Sequence, residues 1–184
     1  MHQTRSNRRQ EMAKYYSTKT YGTDRGLSCC FRQWRATHSH CSLLHGYSIG
    51  IRLVFESDTL DEKNWVMDFG GLKAFKEWSE WMFDHTLVIA QDDPHLNKFK
   101  ELSLSGLNDS GGVCDLRIVE AVGCEKFSEL AYSMMNLILK NFQEGKSVTI
   151  NGKDYQSRYP VGQGVRLKSV EVFEHDGNSA IYEG

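Results

Sequence analysis

The chain has little of what marks several classes of protein. It contains only 2 prolines in 184 residues, and its 22 Lys and Arg nearly balance its 24 Asp and Glu, for a formal net charge of -2. A charge so close to zero gives no global electrostatic reason to bind nucleic acid or an anionic membrane. The sequence has no run of about 18 apolar residues, as a membrane-spanning helix needs, and its basic N-terminus lacks the apolar segment of a signal peptide. We therefore expect no nucleic-acid partner and no membrane partner.

The cysteines indicate a reduced protein. The five of them form no CxxC pair, and two, Cys29 and Cys30, are adjacent. This pattern disfavours a disulfide scaffold or a cysteine-rich zinc module and fits a cytoplasmic location. Apolar residues make up 40% of the chain, enough for the core of one ordinary domain. We expect a flexible basic tail over residues 1–14 and a single domain over 15–184.

Several segments alternate between apolar and polar residues. The longest alternation, from His45 to Phe55, predicts a half-buried antiparallel strand. A second strand is predicted just upstream, where Trp34, Ala36, His38 and His40 share one parity. Further strands are predicted over 65–69, 113–122, 165–174 and 180–182, the last two as a hairpin.

Apolar residues at helical spacing predict helices over 70–83 and 125–142. The polar segment 90–112 is expected to hold a short helix around 96–102, and residues 143–164 read as a polar insertion. Interior helices and largely antiparallel strands predict an α+β domain whose two main helices pack on one face of a sheet.

Three of the seven histidines fall within eight positions, at His38, His40 and His45. On the predicted strands, His38 and His40 share one face, and His45 begins the next strand after a tight turn. Three neutral imidazoles with an open fourth position suit catalytic Zn²⁺. A histidine cluster without a metal is the alternative.

Two further groups bear on catalysis. Cys41 lies inside the histidine cluster and is either a small buried thiol or a thiolate activated by a neighbouring cation. Asp84 and His85 follow the first predicted helix. They form either a C-terminal cap that suits the helix dipole or a histidine oriented by a carboxylate for proton transfer.

Two glutamates are candidates for ligand binding. Glu174 shares the parity of an apolar strand face, where an unpaired carboxylate is costly. Either a twist or bulge turns it outward, or it binds a ligand that offers two parallel N–H donors. Glu125 precedes the second long helix, where it favours the dipole or lines a pocket.

Taken in this order, these motifs make the chain resemble the 6-pyruvoyltetrahydropterin synthase and 6-carboxytetrahydropterin synthase family from about Leu27 to Tyr182. The resemblance is carried by Trp34–His38 (the family's F-x-A-A-H), Cys41–Tyr47 (C-x-x-x-H-G-H), Val66–Lys73 (V-x-D-F-G-D-L-K), Asp84-His85 (D-H), Gly123–Lys126 (T-x-E-N) and Glu174.

The resemblance implies the tunnelling fold, or T-fold: an antiparallel sheet with two helices that forms a barrel by oligomerisation, usually a hexamer with sites between subunits. It also implies zinc-dependent conversion of 7,8-dihydroneopterin triphosphate to 6-carboxy-5,6,7,8-tetrahydropterin, with release of acetaldehyde and triphosphate, in 7-deazaguanine (queuosine-type) synthesis. A 6-pyruvoyl product, or a non-catalytic zinc- and pterin-binding protein, is the alternative.

The resemblance further implies a role for each residue. Cys41 is the general base, Asp84 and His85 relay protons, and Glu174 holds the pterin ring with Glu125 nearby. Tyr47 replaces the second histidine of the H-G-H motif, and a neutral tyrosine is a poor zinc ligand. We therefore predict that His38, His40 and His45 hold the zinc.

Overall fold

The computed structural model describes residues 14–22, 24, 26–104, 112–175 and 177–184, so of the predicted basic tail only Lys14 falls within it. The strands in these ranges are β1 (Tyr15–Tyr21), β2 (Leu27–Phe31), β3 (His45–Ser57), β4 (Thr86–Ala90), β5 (Leu116–Val119), β6 (Val148–Ile150), β7 (Lys153–Tyr155), β8 (Arg166–His175) and β9 (Asn178–Glu183). The helices are α1 (Lys73–Phe83), α2 (Leu96–Leu104) and α3 (Cys124–Gln143), with 3₁₀ turns at His40–Ser42 and Phe69–Leu72.

One seven-stranded mixed sheet organises the fold, in the order β5-β4-β2-β3-β8-β9, with β1 also paired to β3. The strands from β1 to β3 and the β8–β9 hairpin are antiparallel, whereas β4 runs parallel to β2, and β5 parallel to β4. Strands β6 and β7 form a separate hairpin. None of the helices in the described ranges is long and apolar enough to cross a membrane.

The core lies between this sheet and helices α1 and α3. Alternate residues of β3, from Ile49 through Ile51 and Leu53 to Phe55, are fully buried, as the two-residue alternation predicted. They share one hydrophobic cluster with fully buried residues of the two helices: Phe75, Phe83, Phe127, Met135 and Ile138. The predicted helices 70–83, 96–102 and 125–142 and the C-terminal hairpin are confirmed, with ends shifted by a few residues.

Two predicted strands are wrong. The segment 34–40 is a series of turns, because Ala36 N donates to Gln33 O and Ser39 N donates to Ala36 O, at 2.9 and 3.0 Å. The segment 65–69 is loop followed by a 3₁₀ turn. Carboxylates hold it in this form, since Asp61 Oδ1 accepts from Lys63 N and Trp65 N at 2.8 and 2.9 Å, and Asp68 Oδ1 accepts from Gly70 N at 2.6 Å. In both segments local turn bonds replace strand pairing.

Other elements had no prediction or had different bounds. Strands β1, β2 and β4 were not predicted, the strand expected over 113–122 is limited to β5, and the insertion 143–164 contains the β6–β7 hairpin. The turn of that hairpin uses Asn151 and Gly152, both at positive φ (49° and 72°), as a tight two-residue hairpin turn requires.

Candidate active site

Three aromatic side chains lie together where β2 meets β3. Phe31 pairs with His45 across the strands, and Cys29 pairs with Tyr47. The Phe31 and Tyr47 rings stack with centroids 3.9 Å apart and planes 11° apart, and the His45 ring centroid lies 4.5 Å from that of Tyr47. Phe31 also packs edge-on against Phe127 of α3, so this aromatic group faces the helices.

The loop between β2 and β3 carries Cys41 and is fixed on both sides of it. Gln33 N donates to the carbonyl oxygen of Cys41 at 2.8 Å, and Cys41 N donates to Ser39 Oγ at 3.2 Å. Arg32 Nη1 donates to the carbonyl oxygen of Ser42 at 3.2 Å. The backbone of Cys41 is therefore held in place, while the residue remains partly exposed.

The same loop is clamped to the end of β4. Arg32 donates from Nε and Nη2 to the two carboxylate oxygens of Asp93, both at 2.8 Å. The neighbouring Asp92 accepts from Trp34 Nε1 at 3.1 Å and from Arg35 Nη2 at 2.6 Å. Two consecutive aspartates thus hold the segment that leads to Cys41.

Glu174 lies at an irregularity in β8. The register against β9 shifts between Phe173 and His175, which leaves Glu174 as the extra residue of a bulge. A bulge re-aims the side chain it carries. Here the carboxylate lies beside the thiol of Cys124, the first residue of α3. The bulge considered from the sequence is therefore present, and its carboxylate faces the start of this helix.

The electrostatics show which groups meet at this point. Burial, and then the negative charges of Glu174 and Glu125, raise the pKa of the Cys124 thiol to about 12. Burial, and then the nearby Glu174 and Cys41 side chains, raise the pKa of Tyr47 to about 12. Charges act this strongly only over short distances in a partly buried site. The Glu174 carboxylate and the Cys41 thiol therefore lie in the neighbourhood of the neutral hydroxyl of Tyr47.

Glu174 is also one of the residues that line an open cleft of about 690 Å³ on the β3–β8 surface, whose lining does not include Cys41, Tyr47 or Cys124. The other lining residues include Ser48, Arg52 and Glu171, and Arg52 forms an ion pair with Glu171 at 3.3 Å. A volume of this order is typical of a small-molecule site. Glu125 is exposed in the first turn of α3, at the same end of that helix as Cys124.

The Asp84–His85 pair closes helix α1 and starts β4. Asp84 N donates to Glu80 O at 2.8 Å as a helix cap, and Asp84 Oδ1 accepts from Ser28 N and lies 3.1 Å from His85 Nδ1. His85 adopts a positive φ of 59°, and its side chain is 82% exposed. The cap and the paired histidine expected as alternatives are both present. Within one chain the two catalytic candidates have separate hydrogen-bond partners. Asp84 accepts from Ser28 N, whereas the backbone of Cys41 bonds Gln33 N and Ser39 Oγ.

The structure does not bring the three predicted zinc ligands together. His38 lies in a turn and His40 in a 3₁₀ turn, both exposed, and not on one face of a strand as expected. His45 begins β3, with its Nδ1 2.9 Å from the carbonyl oxygen of Leu43. Across the part of the chain that the structure describes, no three His, Cys, Asp or Glu side chains are placed to hold a metal ion. The residues present therefore do not fit the zinc that the resemblance implies.

Sequence reasoning missed four residues that shape this site. Strand register brings Phe31 to the site, and the start of α3 brings Cys124. Arg32 and Asp93 reach it through an ion pair between residues 61 positions apart. Apolar residues at alternate positions, Leu27, Cys29 and Phe31, were the available signal for Phe31.

Comparison with known proteins places this site in a family. A family model described as 6-pyruvoyl tetrahydropterin synthase matches residues 22–184. The chain belongs to the 6-pyruvoyl tetrahydropterin synthase family. The matched range includes β2, the Cys41 loop, the Asp84–His85 pair and Glu174.

Curated relatives match a shorter segment. The 6-carboxy-5,6,7,8-tetrahydropterin synthase of Rickettsia typhi is 34% identical over 59 residues, which are 32% of this chain and 43% of that protein. The enzyme of the same name from Rickettsia felis is 32% identical over a segment of the same length. The match therefore spans less than half the length of these relatives.

Solved structures match nearly the whole chain. An uncharacterized protein from Wolinella succinogenes has a TM-score of 0.62 at 19% identity, with 94% of this chain and 99% of that chain covered. The 6-pyruvoyl tetrahydropterin synthase of Plasmodium vivax has a TM-score of 0.61 at 12% identity, with 94% and 98% covered. These similarities confirm the T-fold. The sheet of the described single chain is mixed and is not a closed barrel, so the barrel formed by oligomerisation stays a prediction.

Proposed function

We propose that this protein is a tetrahydropterin synthase that converts 7,8-dihydroneopterin triphosphate and water to 6-carboxy-5,6,7,8-tetrahydropterin, acetaldehyde and triphosphate. The observation that carries the proposal is that Glu174 lies beside Cys124 at the start of α3, with Tyr47 and Cys41 in the same electrostatic neighbourhood. The curated relatives are named for the 6-carboxy product, which favours it over the 6-pyruvoyl product. A 6-carboxy product would supply 7-deazaguanine (queuosine-type) synthesis.

Glu174 would recognise the pterin ring. The ring presents an amino group and a ring N–H side by side, and one carboxylate accepts both in a bidentate, charge-assisted pair. The bulge fixes the carboxylate at the N-terminus of α3, where the helix dipole favours negative charge. Glu125, in the first turn of the same helix, would contact the far edge of the ligand.

Cys41 would act as the general base on the side chain of the ligand. Its thiolate takes a side-chain proton, two electrons of the side chain pass to the dihydropterin ring, and triphosphate leaves with the bridging oxygen. Water supplies the second carboxylate oxygen, and cleavage of a carbon–carbon bond releases two carbons as acetaldehyde. The bonds that hold the loop around Cys41 keep the thiol in position for this transfer.

Asp84 and His85 would relay protons in a site shared between copies of the chain. His85 is exposed and oriented by Asp84, and the pair bonds Ser28 at the sheet and not the Cys41 loop. The resemblance places family sites between subunits. We therefore propose a homo-oligomer, with a hexamer as its expected form, in which this pair completes the site of a neighbouring copy. The geometry offers no support for zinc dependence, so zinc has no step in this scheme.

Incubation of the full chain with 7,8-dihydroneopterin triphosphate, followed by mass spectrometry of the pterin, tests the proposal. Formation of 6-carboxytetrahydropterin supports it. Formation of 6-pyruvoyltetrahydropterin keeps the family chemistry but corrects the product. If the substrate stays unchanged but binds tightly, and if Glu174→Gln abolishes that binding, the chain is a non-catalytic pterin-binding T-fold protein.

A further inference from the structure

The aromatic group between β2 and β3 lies at the position where the family motif places metal ligands. His45-Gly46-Tyr47 stands in place of H-G-H, so residue 47 is one of two ligand positions on β3. The Tyr47 ring fills that position and stacks at 3.9 Å on Phe31.

Phe31 takes up the remaining space beside His45. A ligand on the neighbouring strand that shared an ion with His45 would stand opposite it, and Phe31 is the residue paired with His45 there. Phe31 is 3% exposed and packs edge-on against Phe127, so its ring fills this position in the core. Its hydrocarbon ring offers no ligand atom.

The other histidines do not compensate. His38 and His40 are exposed in the turns that follow Gln33, and the hydrogen bonds of that loop hold it away from a strand conformation. His45 therefore offers a single imidazole on this face, and one imidazole is far short of the three ligands of a catalytic zinc site.

The Tyr47 hydroxyl remains as the polar group at this place. The Tyr47 ring lies beside the rings of Phe31 and His45, at 3.9 and 4.5 Å between centroids, and both Glu174 and Cys41 lie near enough for their charges to act on its hydroxyl. A pterin ring held by Glu174 would therefore project its hydroxylated side chain past Tyr47 toward Cys41.

We propose that Tyr47, stacked on Phe31, replaces the metal ion as the group that binds the side-chain hydroxyls of the pterin, and that the chain holds no zinc at this site. The proposal rests on the proposed function for the identity of the ligand. It assigns Tyr47 as a hydrogen-bonding residue that distinguishes pterins with a hydroxylated side chain from pterins without one.

Two measurements on the full chain test the assignment without turnover. The first is the zinc content after expression in zinc-supplemented medium and dialysis. We expect well below one zinc per chain in the wild type. The double variant Phe31→His with Tyr47→His places three imidazoles on this face, and we expect it to bind one zinc per chain. One firmly bound zinc in the wild type that is lost in His45→Ala, His38→Ala or His40→Ala would overturn the proposal.

The second measurement is calorimetric binding of 7,8-dihydroneopterin and of unsubstituted pterin. Tyr47→Phe should weaken the first about tenfold, the size of one hydrogen bond, and leave the second unchanged. Tyr159→Phe, an exposed tyrosine elsewhere, is the matched control and should change neither. Equal effects of Tyr47→Phe on both ligands, or no effect on either, contradict the assignment. If Glu174→Gln abolishes binding of both ligands, pterin recognition by the proposed site holds whatever Tyr47→Phe does. A failure of the Tyr47 assignment is then distinct from a failure of the proposed function.

Discussion

Arg32 donates two parallel hydrogen bonds of 2.8 Å to the carboxylate of Asp93. This pair joins the loop of Cys41 to the segment that follows β4. The carboxylate is 1% exposed and the guanidinium 15% exposed, so the pair is largely removed from water. Strand β4 begins directly after Asp84 and His85. The Arg32–Asp93 pair therefore links the two segments that the family resemblance assigns to catalysis.

Replacement of Asp93 should destabilise the fold strongly. Asp93→Asn leaves the Arg32 guanidinium buried without its counter-charge, which costs about 3 kcal/mol of unfolding free energy. Asp92→Asn is the matched control, because Asp92 and its partner Arg35 are about half exposed, and it should cost less than about 1 kcal/mol. Urea unfolding of both variants measures the difference, and equal losses would show that the Arg32–Asp93 pair has no special weight.

The same pair predicts how stability depends on pH. Burial alone would raise the pKa of Asp93, but the hydrogen bonds from Arg32 and from His95 N outweigh it and hold this pKa below its ordinary value. A carboxyl with a lowered pKa stabilises the fold above its unfolded pKa of about 3.9. That stability is lost as the pH falls through the folded value. We expect the unfolding free energy to fall more steeply below about pH 4 in the wild type than in Asp93→Asn, and parallel curves would exclude this linkage.

Cys41 is predicted to carry the proton transfer. Cys41→Ala should keep pterin binding but lose at least ~10²-fold in rate, as is typical for the loss of a general base. Cys114→Ala, another partly exposed thiol, serves as the control and should keep its rate. Single-turnover assays of both variants measure this, and near-normal turnover in Cys41→Ala would remove the role.

Glu174 is predicted to anchor the ring. Glu174→Gln keeps the shape of the side chain but removes its charge, and it should weaken pterin binding by about 1.5–3 kcal/mol. Glu171→Gln, on the same strand but paired with Arg52, tests whether any charge change on β8 has this effect. Titration calorimetry gives both affinities, and unchanged binding in Glu174→Gln is the result that refutes the anchor.

Much of the fold was predictable because its signals are periodic. The alternation through Ile51 and Leu53 reports a strand buried on one face, and the helical spacing around Phe75 and Phe127 reports two helices on the same core. Strand β4 has five buried residues in a row and so shows no alternation. A short apolar run of this kind does not distinguish a strand from a helix.

The loop and the site were less predictable because they depend on distant partners. The shared parity of Trp34 and His38 imitated a strand, yet the segment is held in turns by its own backbone hydrogen bonds and by the Asp92 side chain. Motif order pointed to Cys41 and Glu174, whose neighbourhood with Tyr47 the structure supports. The Phe31–Tyr47 stack arises from strand register and side-chain packing, and these appear only in three dimensions.

The yield of acetaldehyde from 7,8-dihydroneopterin triphosphate tests the central claim most directly. We predict one acetaldehyde for each triphosphate released by the wild-type chain, neither product in quantity from Cys41→Ala, and the same wild-type yield after treatment with a metal chelator. Triphosphate without acetaldehyde, or acetaldehyde that disappears on chelation and returns with zinc, would contradict it.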